Sequence, residues 1–152
     1  MRVLGVNGST TTLWVAVVDD DESVVAGGPV QIPLPNDASH AMQLDLVRND
    51  ATRLLQSHEI DRVRILDAEP TGQPSYAQLI KRIGMESALV LAAHDIGVDV
   101  DRFSRAHVRS VLALGRTGTL TSHAGRLLEA ASPHWSSKRD LAALVALAEI
   151  RS

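Results

Sequence analysis

The sequence predicts an α/β domain, a mixed five-stranded sheet flanked by helices, and three observations carry that reading. The first is a pair of apolar runs around a small polar turn in residues 2–18, the pattern of a β-hairpin. Val3, Gly5 and Asn7 share one face of its first strand and Leu4 and Val6 the other, while Trp14, Ala16 and Val18 alternate with Leu13, Val15 and Val17 on the return strand. Both faces are apolar, which places the hairpin at the centre of a covered sheet. The second is that helical and strand periodicities alternate along the rest of the chain. The third is size: 152 residues with 45% hydrophobic content suit one domain, residues 1–152, with a full core.

Each element has its own local reason. Asp19-Asp20-Asp21-Glu22 is a turn, because four adjacent carboxylates repel one another, and the run lacks the spacing and distal Glu of a calcium loop. Residues 23–32 read as a third strand interrupted at Gly27-Gly28-Pro29, where Pro29 cannot donate to a ladder. Asn36, Asp37 or Ser39 can cap a helix in which Leu44, Val47, Ala51, Leu54 and Leu55 recur at helical spacing, with Asp45, Arg48, Asp50 and Arg53 mostly opposite. The strand 63–69 follows that helix and should lie parallel to the first strand through a right-handed crossover, with Val63, Ile65, Asp67 and Glu69 on one face.

A turn at 70–74 leads into a helix over 75–96, whose apolar run from Ala88 to Ala93 marks it as the most buried helix, closed by Gly97. A short strand, 98–103, precedes a helix capped by Ser104, carrying Val108, Val111 and Leu112, and ended by Gly115. A polar loop at 116–122, a short helix over 123–131 and a last helix over 137–150 complete the order βββαβαβααα. Ser137 and Asp140 form a Ser-x-x-Asp capping pattern at the start of that last helix.

Composition narrows the function classes. There is no cysteine, which excludes disulfides and thiolate metal sites. The chain enters a strand within two residues and has no apolar run of membrane-spanning length, so the expectation is a soluble cytoplasmic protein. The net charge of −3 argues against a dedicated nucleic-acid binder, yet the charge is uneven. Residues 1–70 carry five Lys/Arg against eleven Asp/Glu, and residues 71–152 carry ten against seven. A polyanion would meet the second half. The six histidines show no close metal-ligand spacing, and no Gly-x-Ser-x-Gly elbow supports a triad from Ser122, His123 and Asp140.

The strand ending at Asn7 before Gly8-Ser9-Thr10, the strand Ile65-Leu66-Asp67-Ala68-Glu69, the helix stretch Leu79 to Ala88, the segment Ser104 to Val111 and the run Lys138 to Leu144 together resemble the RuvC-type Holliday junction resolvases of the ribonuclease H-like superfamily. The likeness covers nearly the whole chain and is strongest over 61–113. A shorter likeness of Leu4 to Thr11 and Ala16 to Asp19 to the phosphate hairpin of sugar kinases, Hsp70 and actin would require a second domain to close over ATP.

The RuvC resemblance implies a ribonuclease H-like fold, a homodimer through the 75–96 helix, and a magnesium site of carboxylates for two-metal phosphodiester cleavage. It places Asn7 where the family has the Asp that bridges both metals, Glu69 at the second acid and Asp140 on the terminal helix, with Asp67 as a spare. The metal ligands it leaves are Glu69 and Asp140. The family has two acids three residues apart on the terminal helix, so the partner of Asp140 is Ala143 in one register and Ser137 in the other. Arg109 matches a basic DNA contact, with Arg105 and Arg116 beside it.

Each of these residues also has a plain structural role available. Asn7-Gly8 suits a hairpin turn, Glu69 an exposed strand end, and the arginines a solvated helix face. Three readings result. A metal-depleted RuvC-like protein, weak or inactive as a nuclease and using no metal, binds branched nucleic acid or a protein partner. Alternatively, Glu69, Asp140, Asp67 and the Asn7 carbonyl rebuild an active magnesium-dependent endonuclease. In the third, the chain is a structural or regulatory dimer with no nucleic-acid role.

Overall fold

The computed structural model describes residues 1–69 and 72–152, so the expected turn at 70–74 falls partly outside the described residues. Strands β1 (Arg2–Gly8), β2 (Thr12–Asp19), β3 (Gln31–Pro33), β4 (Arg62–Leu66) and β5 (Asp99–Phe103) form one sheet in the order β3-β2-β1-β4-β5. The first three are antiparallel neighbours, and β4 and β5 join β1 in parallel, which is the mixed sheet expected from the sequence. The register sets Asn7 opposite Trp14 on one side and Leu66 on the other. Asn7 therefore stands at the carboxyl end of the central strand, where β4 also ends.

Helices α1 (His40–Ser57) and α2 (Tyr76–Asp95) cover one face, burying Leu4, Val6, Val15, Ile65, Met85 and Leu89 together. Ser39 and Ser75 cap them, and Ser75 forms a full capping box with Gln78. The other face carries α5 (Asp140–Arg151) with α3 (Arg105–Val111) and α4 (Leu120–Leu127), packed on Val3, Ala16, Val18 and Leu66. Gly5 is where α5 touches the sheet: a Cβ there would stand 1.7 Å from the Ala142 carbonyl oxygen. Within this face, Arg64 of β4 is buried against Glu149 of α5, with Nε–Oε2 at 2.8 Å and Nη2–Oε1 at 3.0 Å. No helix among the described residues is long and apolar enough to cross a membrane.

Five expectations need correction. The third strand is not 23–32; only Gln31–Pro33 pairs continuously, and Val24 makes an isolated bridge to Val18. The reason is local: Gly27 takes φ +69° and Gly28 N–H turns back to the Val25 carbonyl, so the chain leaves the sheet before Pro29. The most buried helix is α5, not α2, because residues 140–149 all pack against other elements while α2 exposes Tyr76, Ile83 and Leu91. The helix expected over 123–131 runs instead from Leu120 to Leu127, because Thr119 Oγ1 accepts from Ser122 N–H, and it takes residues 120–122 from the expected polar loop.

The fourth concerns the last helix. It begins at Asp140, after an irregular turn over Trp135–Arg139 in which Ser137 adopts φ +59°. Ser137 consequently makes no cap, and the Ser-x-x-Asp pattern is not used. Strand β4 is also shorter than expected, so Asp67 and Glu69 lie beyond its end, with Asp67 N–H still donating to the Phe103 carbonyl.

Candidate functional site

The ends of β1 and β4 open into a pocket of about 360 Å³. Asn7, Gly8 and Ser9 line it from the first hairpin, Trp14 from β2, Glu69 from beyond β4, and Arg82 and Arg105 from α2 and α3. Thr119, Leu120 and Thr121 contribute from the start of α4, and Ser137 and Leu141 from the entry to α5. A second hollow of about 470 Å³ shares Gly8, Ser9, Glu69 and Arg82 with it, so the two meet across the tip of β1.

Asn7 is held by its amide. Its Nδ2 donates to the Lys138 carbonyl at 3.1 Å, fastening the irregular turn before α5 to the sheet. The turn is packed from the other side by Trp14, whose ring lies 5.0 Å from that of His134 and 4.9 Å from Lys138 Nζ.

Glu69 is 56% exposed, and its Oε2 pairs with Arg105 Nη1 at 3.0 Å. Arg105 is only 18% exposed, and its Nε donates to the Asp67 carbonyl at 3.1 Å. Burial pushes the Arg105 pKa down; the neighbouring guanidiniums of Arg82 and Arg109 push the same way, against Glu69 and Asp67. The site therefore crowds positive charge.

Arg82 approaches from the other side of the strand. Its Nε donates to Glu86 Oε1 at 3.1 Å, and Glu86 is buried and also takes Arg102 Nη2 at 2.7 Å. Gly8 makes this approach feasible, because a Cβ there would stand 2.6 Å from Glu86 Oε1 and 3.2 Å from Arg82 Nε. Arg82 Nη2 is buried with no hydrogen-bond partner among the described residues.

The acids expected at the site do not converge. Asn7 and Glu69 line the pocket, but Asp140 is 1% exposed, is not among the residues lining it, and among the described residues accepts only its neighbour Leu141 N–H, at 2.7 Å. The terminal-helix residues that do reach the pocket are Ser137 and Leu141, neither of them an acid. Asp67 offers its carbonyl rather than its carboxylate to Arg105. Among the described residues, no group of three or more His, Asp or Glu is arranged to hold a metal ion. A pair of divalent cations needs several carboxylates at one point. One carboxylate already paired with a guanidinium, facing a second guanidinium, does not fit that requirement.

Of the expected basic contacts, Arg105 lines the pocket. Arg109 spends both terminal nitrogens inside the protein, on the carbonyls of Gly115 (2.6 Å) and Gly118 (2.7 Å), and so shapes the loop before α4. Arg116 is exposed on that loop. Arg82 is the residue that sequence reasoning missed. Its signal was an Arg–Glu pair at i, i+4 beside buried Met85 and Leu89, an ion pair on the inward side of a helix.

The strand order, the parallel β1–β4 pair and the placement of the pocket at their carboxyl ends define a ribonuclease H-like fold of the RuvC type. Among particular proteins, the chain superposes on the RuvC of Thermus thermophilus in complex with a Holliday junction substrate, with a TM-score of 0.76, 17% identity, and coverage of 99% of this chain and 93% of that one. A second Thermus thermophilus RuvC structure gives a TM-score of 0.75 at 18% identity, covering 99% and 94%. The yeast mitochondrial Holliday junction resolvase Ydc2 gives 0.65 at 13% identity, covering 98% and 77%. No family model matches the sequence, and no curated protein does.

Proposed function

We propose that this protein is a RuvC-like scaffold that binds branched nucleic acid without cutting it. The observation that carries the reading is the content of the pocket at the end of β1, where Arg82, Arg105 and Asn7 surround the single carboxylate of Glu69, short of the several a two-metal nuclease requires. Its fold is that of a RuvC structure solved with a Holliday junction substrate. Guanidinium groups at such a point favour phosphate and repel magnesium.

A homodimer is part of the proposal. Tyr76, Ile80, Ile83 and Leu91 are exposed on α2, with Met42 exposed on α1, and a second copy would cover them.

The test is a labelled four-way junction and a matching duplex, titrated with the protein between about 50 and 200 mM salt, where phosphate contacts weaken steeply. Salt-dependent binding that favours the junction, with no cleavage in magnesium or manganese, is the expected result. Cleavage in either metal would establish the active-nuclease reading instead. An absence of binding at low salt would leave the structural-dimer reading.

A further inference from the structure

We infer that the pocket at the β1 tip is a metal-independent phosphoryl oxyanion site, in which the guanidiniums of Arg82 and Arg105 bind the anion and the Glu69 carboxylate holds the place the anion will take. This inference deepens the proposed reading and rests on it in one respect, the absence of a carboxylate cluster for a metal pair.

Four features of the pocket support it. Arg82 and Arg105 line the pocket from opposite sides of the sheet edge, one from α2 and one from α3. Arg82 Nη2 is a buried donor without a partner among the described residues, and its Nε is held by Glu86, which is buried and shared with Arg102. Gly8 lacks the Cβ that would fill the space these groups occupy. Thr121 and Ser137, both hydroxyl-bearing residues, line the same space.

Glu69 gives the site its exchange chemistry. Its pair with Arg105 is solvent-exposed on the carboxylate side, so it contributes little and yields readily to a better ligand. A phosphoryl group offers a guanidinium two acceptor oxygens in a matched plane and reaches Arg82 at the same time, which Glu69 does not. Arg105 loses one acceptor and gains two. Leu120 and Thr121, in the first turn of α4, line the pocket, so the positive end of that helix lies beside it.

Metal and oxyanion sites respond oppositely to one substitution. Removing the Glu69 charge weakens a magnesium site, whereas here it vacates Arg105 for the anion.

Calorimetric titrations in EDTA test this, with inorganic phosphate, thymidine 5′-monophosphate and the dinucleotide thymidylyl-thymidine as probes, on wild type, Glu69→Gln, Arg105→Gln and Arg105→Lys. We expect saturable binding without metal, tightened about two- to fivefold by Glu69→Gln and weakened about 10- to 100-fold by Arg105→Gln. Arg105→Lys, which keeps the charge and loses the fork, should fall between. Should Arg105→Gln fail to fold, Glu69→Gln still decides, because Glu69 is exposed. Tighter binding of the dinucleotide than of the monophosphate assigns the site to a backbone phosphodiester, and the reverse assigns it to a terminal phosphate.

The inference is overturned by no saturable binding to wild type and Glu69→Gln, by binding that requires magnesium, or by weaker binding in Glu69→Gln. A junction titration run beside it separates the two claims: junction binding without probe binding removes this site and leaves the scaffold reading, and probe binding without junction binding does the converse.

Discussion

Asn7 and Lys138, 131 residues apart, are joined by a single 3.1 Å hydrogen bond from the Asn7 amide to the Lys138 carbonyl. The bond ties the carboxyl end of the central strand to the turn that sets the start of α5. An aspartate at position 7 could not make it. We expect Asn7→Asp to set a carboxylate oxygen against a carbonyl, lowering stability by about 1–3 kcal/mol in urea unfolding. We also expect it to confer no millimolar magnesium binding by calorimetry, because Ser137 and Leu141 supply no further carboxylate to the pocket.

Gly5 carries the packing of α5 on the sheet. A methyl group would overlap the Ala142 carbonyl oxygen at 1.7 Å and crowd the Ala146 Cβ at 3.1 Å, both in a buried helix with nowhere to move. We expect Gly5→Ala to destabilise the fold by about 3 kcal/mol or more, the upper end of overpacking costs. Urea unfolding followed by circular dichroism reads the loss, and a wild-type midpoint would show that α5 is not seated as described.

Glu149 links stability to pH. Burial raises its pKa, and hydrogen bonds from Arg64 and Arg62 outweigh that effect, leaving it below the ordinary value of 4.5. A depressed folded-state pKa means the contribution is present above about 4.5 and is lost as pH falls through the folded value. Glu149→Ala leaves Arg64 buried without its main partner and should cost about 3–5 kcal/mol at pH 7. The variant should also show a shallower fall in stability below pH 4.5 than wild type, measured by unfolding at a series of pH values.

The exposed face of α2 bears on the proposed dimer. Ile83 is 54% exposed and its substitution disturbs no core contact. We expect Ile83→Glu to shift a wild-type dimer towards monomer by about tenfold or more in sedimentation equilibrium. A monomeric wild type would remove the dimer from the proposal, and an unchanged dimer in the variant would place the interface elsewhere.

Much of this architecture could be read from short stretches of sequence. The alternation in residues 2–18 gave the correct facing of Gly5 and Asn7 towards one layer and of Leu4 and Val6 towards the other. The parallel β1–β4 pair followed from the intervening helix, and Ser104 and one of the three candidates before α1, Ser39, act as helix caps. The facing and the caps depend on residues within a few positions of one another. The third strand was misread for the same reason: its apolar content suited a strand, but the turn at Gly27 and Gly28 breaks the pairing.

The site depended on direction rather than periodicity. Ser137 in the left-handed region resets the phase of the helix behind it, so Asp140 turns into the core while Ser137 and Leu141 meet the pocket. The i, i+4 spacing of Arg82 and Glu86 marks an ion pair, but it is the missing side chain at Gly8 that lets them reach the tip of β1.

Backbone periodicity and capping are local, so the order of elements and the apolar faces of the hairpin were contained in the sequence read in short windows. Which helix would be buried deepest, which acids would be turned away, and which two arginines would line one pocket were settled by packing between segments far apart in the chain, where the steric fit of Gly5 and Gly8 decides how closely the helices approach.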